Sequence, residues 1–121
     1  MKYMLLIYHE EPAWNKVSEN ERGQIYGEYR QLREDLISKG QYLDGSQLQP
    51  TAAATSIRVR DEKQLVTDGP FAETREQLGG FFLVEAKDLD EAISLAARIP
   101  SARMGTIEVR PLVEMSAPAA A

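Results

Sequence analysis

Cysteine is absent from this chain of 121 residues, and histidine occurs once, at His9. The first absence excludes a disulfide scaffold, thiolate metal ligation and a cysteine nucleophile, and it is what a reducing compartment permits, so a cytoplasmic location is the expectation. The second works against a protein-built transition-metal site, because zinc and haem sites draw on several His or Cys ligands. No metal and no cofactor are expected. Positive charge is also scarce: 14 Lys and Arg stand against 19 Asp and Glu, a formal net charge of −5. Such a balance repels a phosphate backbone, and direct nucleic-acid binding is not expected. Long apolar runs are missing too. None approaches the roughly 18 residues of a membrane span, which argues against a membrane partner. The opening Met1–Tyr8 is shorter than a secretory h-region with its cleavage site and reads as a buried strand.

What remains is ordinary in amount, 43% apolar and 27% charged residues. Mass scaling for 13.6 kDa gives a folded surface of roughly 6,500 Å² and burial of about two-thirds of the extended chain's surface. One domain over residues 1–113 is predicted. Residues 114–121, rich in Ala, Pro and Ser, can bury little and are expected to form a flexible tail.

Residues 3–8 are continuously apolar, the pattern of a strand covered on both faces. Glu10–Val17, with Pro12 and Trp14, reads as a loop in which Trp14 is a lid or packing anchor. Ser18 and Glu21 form a capping box, and Ile25, Tyr29, Leu32 and Leu36 make one stripe of a helix that stops at Gly40. Tyr42–Leu48 is predicted as a strand bent or bulged at Gly45. Thr55–Arg60 alternates, with Ile57 and Val59 opposed to Ser56, Arg58 and Arg60, and pairs with Gln64–Thr67 as a hairpin with one polar face. Phe81–Val84 is again apolar on both faces. Asp88 starts a second helix with a stripe of Leu89, Ala92, Ile93 and Ala96, closed by Ile99-Pro100, and Thr106–Val113 is the last strand.

The order β-α-β-β-(β)-β-α-β is the ferredoxin-like split β-α-β pattern with an added hairpin, an α+β fold. Two helices cover one face of such a sheet. Strands apolar on both faces therefore predict a homodimer that buries the second face.

Candidate chemistry follows from residue type. His9 lies beside Glu10 and Glu11, and a neighbouring carboxylate can orient an imidazole as a general base; the plainer role is a strand-end histidine packed near Trp14. Asp68-Gly69-Pro70-Phe71 presents the Asp68 carboxylate and the Phe71 ring on a stiff turn. Glu73, Arg75 and Glu76 follow it, while Arg58, Glu108 and Arg110 lie on the polar faces of two strands. Converging, these charges make a pocket for a polar or anionic small molecule, with Arg58 as anion holder; dispersed, they are a solvated ion-pair network. Tyr26 and Tyr29 carry hydroxyls that can move protons, although aromatics on a helix stripe more often serve as core. Gly79-Gly80 precedes a strand rather than a helix, so it marks a close approach of backbones and not a phosphate loop.

Val66–Phe81, containing Asp68-Gly69-Pro70-Phe71 and Gly79-Gly80, resembles the signature of the DGPF branch of YCII-related proteins, with Met1–Tyr8 and Ile107–Pro111 in support. The resemblance implies a dimeric α/β barrel of ferredoxin-like units. Better-understood members, among them a dehydrochlorinase of aromatic degradation, are assigned a His–Asp pair, His on the first helix and Asp just before a Pro after the second. Those positions fall near Tyr29 and at Ile99-Pro100, so both residue types are missing. DGPF proteins are often encoded beside extracytoplasmic-function sigma factors, which implies a transcription-regulatory partner as readily as catalysis. Two readings follow. One is a dimeric sensory or accessory module binding a small molecule through Arg58, Phe71, Glu73, Arg75, Glu108 and Arg110. The other is a cofactor-free isomerase or lyase with Asp68 as acid/base and His9 or Tyr29 as partner.

Overall fold

A computed structural model describes residues 1–114. The expected tail, 114–121, lies outside the described residues apart from Glu114. The elements are β1 (Lys2–His9), α1 (Glu11–Asn15), α2 (Glu19–Ser38), β2 (Tyr42–Gln47), β3 (Thr55–Arg60), β4 (Lys63–Asp68), β5 (Gln77–Glu85), α3 (Leu89–Ala97) and β6 (Thr106–Pro111), with 3-10 turns at Thr51–Ala53 and Pro100–Arg103.

The main sheet has the order β2-β5-β1-β6, with every neighbouring pair antiparallel. Two crossing helical connections and this order are consistent with the ferredoxin-like pattern. The four-stranded sheet is open in the single chain, with no closed barrel. β3 and β4 form a two-stranded sheet of their own.

Strand alternation decides the layers. Tyr3, Leu5 and Ile7 of β1 and Phe82 and Val84 of β5 are buried against Leu32 and Leu36 of α2 and Ala92, Leu95 and Ala96 of α3. Met4, Leu6 and Tyr8, with Phe81 and Leu83, point the other way and are only half-buried, since no helix covers them. Both central strands are thus apolar on two faces, as the sequence predicts, and the chain covers one.

Both helix starts carry the expected side-chain cap, although among the described residues the Glu21 carboxylate makes no return bond to the Ser18 N–H. Ser18 Oγ accepts from the Glu21 N–H at 3.2 Å, and the Asp88 carboxylate from the Glu91 N–H at 2.9 Å. Gly40 follows α2 at φ 69°, the left-handed region that favours glycine.

Other expectations need correction. Glu10–Val17 is not a simple loop, because Glu11–Asn15 is helical with Pro12 in the first turn, where a missing N–H costs no hydrogen bond. The β2 irregularity lies between Tyr42 and Asp44, not at Gly45. In α3 the inward residues are Ala92, Leu95 and Ala96, while Leu89 and Ile93 are exposed; the two alanines allow close approach to the sheet and turn the bulkier pair outward. The hairpin does have the two faces expected, with Ile57 opposite Val66 and Arg58 opposite Leu65. Its apolar face is nonetheless bare: Ile57, Val59 and Val66 are all exposed. No helix among the described residues is long and apolar enough to cross a membrane.

Leu5 is fully buried at the centre of this core. Leu5→Ala is expected to destabilise the fold by about 2–5 kcal/mol through lost burial and a residual cavity, whereas Asp88→Ala costs about 1 kcal/mol through the lost cap. Urea unfolding followed by far-UV circular dichroism checks both, and near-equal midpoints for Leu5→Ala and wild type would contradict the layer assignment.

Candidate functional site

The helix-covered face of the sheet is filled at one end and hollow at the other. Near the start of β1, Leu36, Ala92, Leu95 and Ile99 complete the core. Toward the end of β1, glycine replaces larger side chains at Gly45 of β2 and at Gly79 and Gly80 of β5, and a cavity of about 540 Å³ opens beside them. The β1–β5 register slips between Ile7 and Tyr8, leaving Gly79 bulged. The His9 imidazole packs where a Gly79 Cβ would stand, its Nδ1 only 2.7 Å from that position. A side chain there would displace His9; the close approach of backbones expected of the Gly79-Gly80 pair is at Gly80, where a Cβ would stand 2.9 Å from the Ser46 carbonyl oxygen.

The walls are aromatic. Trp14 and Tyr26 meet edge to face at 5.9 Å, and His9 tilts against Trp14 at 6.0 Å. Deeper in, Phe82 takes edge contacts from Tyr29 at 6.1 Å and Tyr42 at 5.9 Å. All six rings line the cavity. Arg30 and Arg33 of α2 line it with Glu34, and Glu10 stands near His9. The Arg33 guanidinium lies over the Tyr42 ring at 6.0 Å, a cation–π arrangement.

α1 forms the cover that carries Trp14. Its Glu11 N–H donates to Gln77 Oε1 at 2.9 Å, while the Glu11 carboxylate accepts from the Thr51 N–H at 2.8 Å and the Thr51 hydroxyl at 3.0 Å. Arg22 donates to the Trp14 carbonyl at 2.8 Å and lies over the indole at 5.2 Å. The lid or anchor role read for Trp14 has a physical basis in these ties.

The buried polar centre is Tyr29 with Ser101, whose hydroxyls share a hydrogen bond of 2.5 Å. Burial pushes the Tyr29 phenol up, against the lowering effect of Ser101. It remains a neutral hydroxyl near pH 7.

The other sequence candidates stand elsewhere. Asp68 ends β4, is exposed opposite Thr55, and does not line the cavity. Among the described residues its carboxylate makes no hydrogen bond to His9 or Tyr29. Its turn has the backbone angle for which glycine was expected: Gly69 has φ 94°, and its N–H donates to the Ala54 carbonyl at 2.7 Å. Phe71 is 81% exposed, and Arg58 and Glu73 are also exposed. Arg75 reaches Glu10 at 3.0 Å and so is tied to the cavity rim. Glu108 and Arg110 pair at 2.7 Å on the uncovered sheet face, with Tyr8 donating to Glu108 at 3.3 Å. Arg110 holds the Glu108 carboxyl below its ordinary range. The charges therefore fall into separate groups instead of converging with Asp68, His9 and Tyr29.

Sequence reading missed Arg30, Arg33 and Ser101. Arg30 and Arg33 flank Tyr29 and Leu32 of the buried stripe, which was a usable signal; Ser101, one residue after Pro100, carried none.

Because the folded chain holds the Tyr29 proton more tightly than the unfolded chain does, the stabilisation linked to it is complete below the ordinary tyrosine pKa of about 10 and is lost as pH rises beyond it. Tyr29→Phe removes that loss along with a hydrogen bond worth about 0.5–1.5 kcal/mol. Urea midpoints at pH 8 and pH 10.5 should therefore fall less for Tyr29→Phe than for wild type; equal falls would place the titration elsewhere.

The YCII-related domain family matches residues 1–116. The chain is similar to an uncharacterized protein, R00369, of Rhizobium meliloti (strain 1021), with 35% identity over 114 residues that cover 93% of this chain and 92% of the relative. With a family match along nearly its whole length and a full-length relative at that identity, the chain belongs to the YCII-related domain family.

Proposed function

We propose that the chain works as a homodimer that binds a polar or anionic small molecule, in a sensory or accessory role. The observation that carries the binding reading is the cavity of about 540 Å³, walled by aromatic rings and edged by Arg30 and Arg33. Its size is that of ordinary small-molecule sites, and an apolar wall with few polar groups is their usual chemistry. The DGPF-like stretch Val66–Phe81 extends the reading to a transcription-regulatory partner, with the exposed Phe71 turn as a surface it can use. The enzymatic reading that places Asp68 as acid/base gains no support, since Asp68 stands outside the cavity.

The dimer rests on the bare sheet face. Met4, Leu6, Phe81 and Leu83 form a contiguous apolar patch across β1 and β5, because Leu6 pairs with Phe81 and Met4 with Leu83. Face-to-face pairing of two such sheets would give the dimeric α/β barrel.

Sedimentation equilibrium should give twice the 13.6 kDa chain mass, and Leu6→Glu should yield folded monomer by putting a charge in the buried seam. A wild-type species that stays at chain mass across the concentration range refutes the dimer. Binding has a built-in reporter, because Trp14 is the one tryptophan and lines the cavity. Small carboxylates are expected to change its fluorescence and raise the melting temperature. Absence of both responses across a panel of organic anions argues against the binding reading.

A further inference from the structure

We propose that the cavity takes an aromatic carboxylate bearing a second oxygen, hydroxyl or carbonyl, on the ring end that enters first, and that Tyr29 and Ser101 select this oxygen. The inference rests on the small-molecule reading above and gives it a chemical class. It starts from hydroxyl bookkeeping. Tyr29 and Ser101 each carry one O–H, and the 2.5 Å bond between them uses only one of the two protons. The Ser101 backbone N–H also bears on the Tyr29 oxygen, but as a donor to it, so it takes up neither hydroxyl proton. Ser101 is buried and Tyr29 half-buried, both against the cavity. One donor is thus left facing an aromatic space, where an unmatched hydroxyl is costly. A ligand oxygen satisfies it, and a ligand without one leaves it unpaired.

The remaining walls set the rest of the molecule. Phe82, Tyr29 and Tyr42 meet edge to face, as do Trp14 and Tyr26. A flat ring can join such clusters with the same edge and offset contacts, which a saturated ring makes less well. At the outer end, Arg30 and Arg33 lie one turn apart on α2 and are exposed. Neither has a carboxylate within salt-bridge distance among the described residues. Of the two acids that line the cavity, Glu10 is engaged by Arg75, which leaves Glu34 against two guanidinium groups. A ligand carboxylate matches the forked donors there. The ligand enters oxygen first and leaves its carboxylate at the rim.

Isothermal titration calorimetry with matched probes tests this: 4-hydroxybenzoate against benzoate, 6-hydroxy-2-naphthoate against 2-naphthoate, and cyclohexanecarboxylate as the saturated anion. In each aromatic pair the hydroxylated probe should bind about tenfold more tightly, the size expected for one satisfied buried donor. The double variant Tyr29→Phe/Ser101→Ala, which removes both hydroxyls, should bring that ratio close to one while leaving the affinity for the unhydroxylated probe nearly unchanged, whereas Tyr29→Phe alone leaves the Ser101 O–H unmatched and should keep a preference for the hydroxylated probe. Arg33→Gln should weaken both members of a pair by about tenfold, the loss of a charge-assisted contact. Melting curves confirm that each variant is folded, and the within-pair ratio is independent of any fraction lost to unfolding. Equal affinities within both pairs in the wild type, or cyclohexanecarboxylate binding as tightly as benzoate, overturns the proposed class. If these probes fail but an aliphatic dicarboxylate such as glutarate binds in an Arg33-dependent way, the class falls and the small-molecule reading survives. If no anion binds, both fall.

Discussion

The pairing of β1 with β5 is the constraint on which the rest of the molecule depends. It places Leu5 against Phe82 and Tyr3 against Val84 on one face, and Leu6 against Phe81 and Met4 against Leu83 on the other. A strand pair that is apolar on both sides needs two covers, and period-two alternation allows no rearrangement that hides both sets behind the same helices. α2 and α3 cover the first face. The second stays uncovered in the single chain, so the same register that builds the core also defines the exposed apolar face of the sheet.

That core is also where the cavity originates. A sheet covered by helices has no gap if each inward position carries a side chain of ordinary size. Here Gly45 and Gly80 place no side chain inward beside Phe82 and Ile7, and the bulge at Gly79 admits the His9 ring. The hollow lies beside these glycines, edged by the long residues of α2 and closed by the Trp14 segment. The glycines themselves are packing necessities: a Cβ would stand 2.6 Å from the Phe82 ring at Gly45 and 2.9 Å from the Ser46 carbonyl oxygen at Gly80.

Much of the fold was legible in the sequence because it is local. The Ser18 and Asp88 caps, the stripe of Ile25, Leu32 and Leu36 and the Gly40 stop each depend on residues within a few positions of one another, and each appears where its pattern places it. Where reading failed, the deciding contact was distant. Glu11–Asn15 is too short to show a helical period, and it is held by Gln77 and Thr51, far along the chain. Of the α3 stripe Leu89, Ala92, Ile93 and Ala96, the two alanines are buried as expected, while Leu95 takes the inward place expected of Leu89 and Ile93.

The site was less legible for the same reason carried further. Of the residues chosen for chemistry, His9 and Tyr29 reach the cavity, because each adjoins a buried strand or stripe whose direction was already fixed. Asp68, Phe71 and Arg58 were chosen for a conspicuous turn and an alternating strand, and they sit on or beside a hairpin that pairs only with itself. A two-stranded sheet is marginal in isolation, so a hairpin this apolar calls for contacts that the single chain does not provide. Its exposed apolar residues, like the half-buried Leu6 and Phe81, have no cover within the single chain, whereas the Tyr29–Ser101 centre is built from residues of one chain. The two features are thus chemically distinct: the hairpin and sheet face are open apolar surfaces, and the cavity is a concave aromatic space with a polar centre.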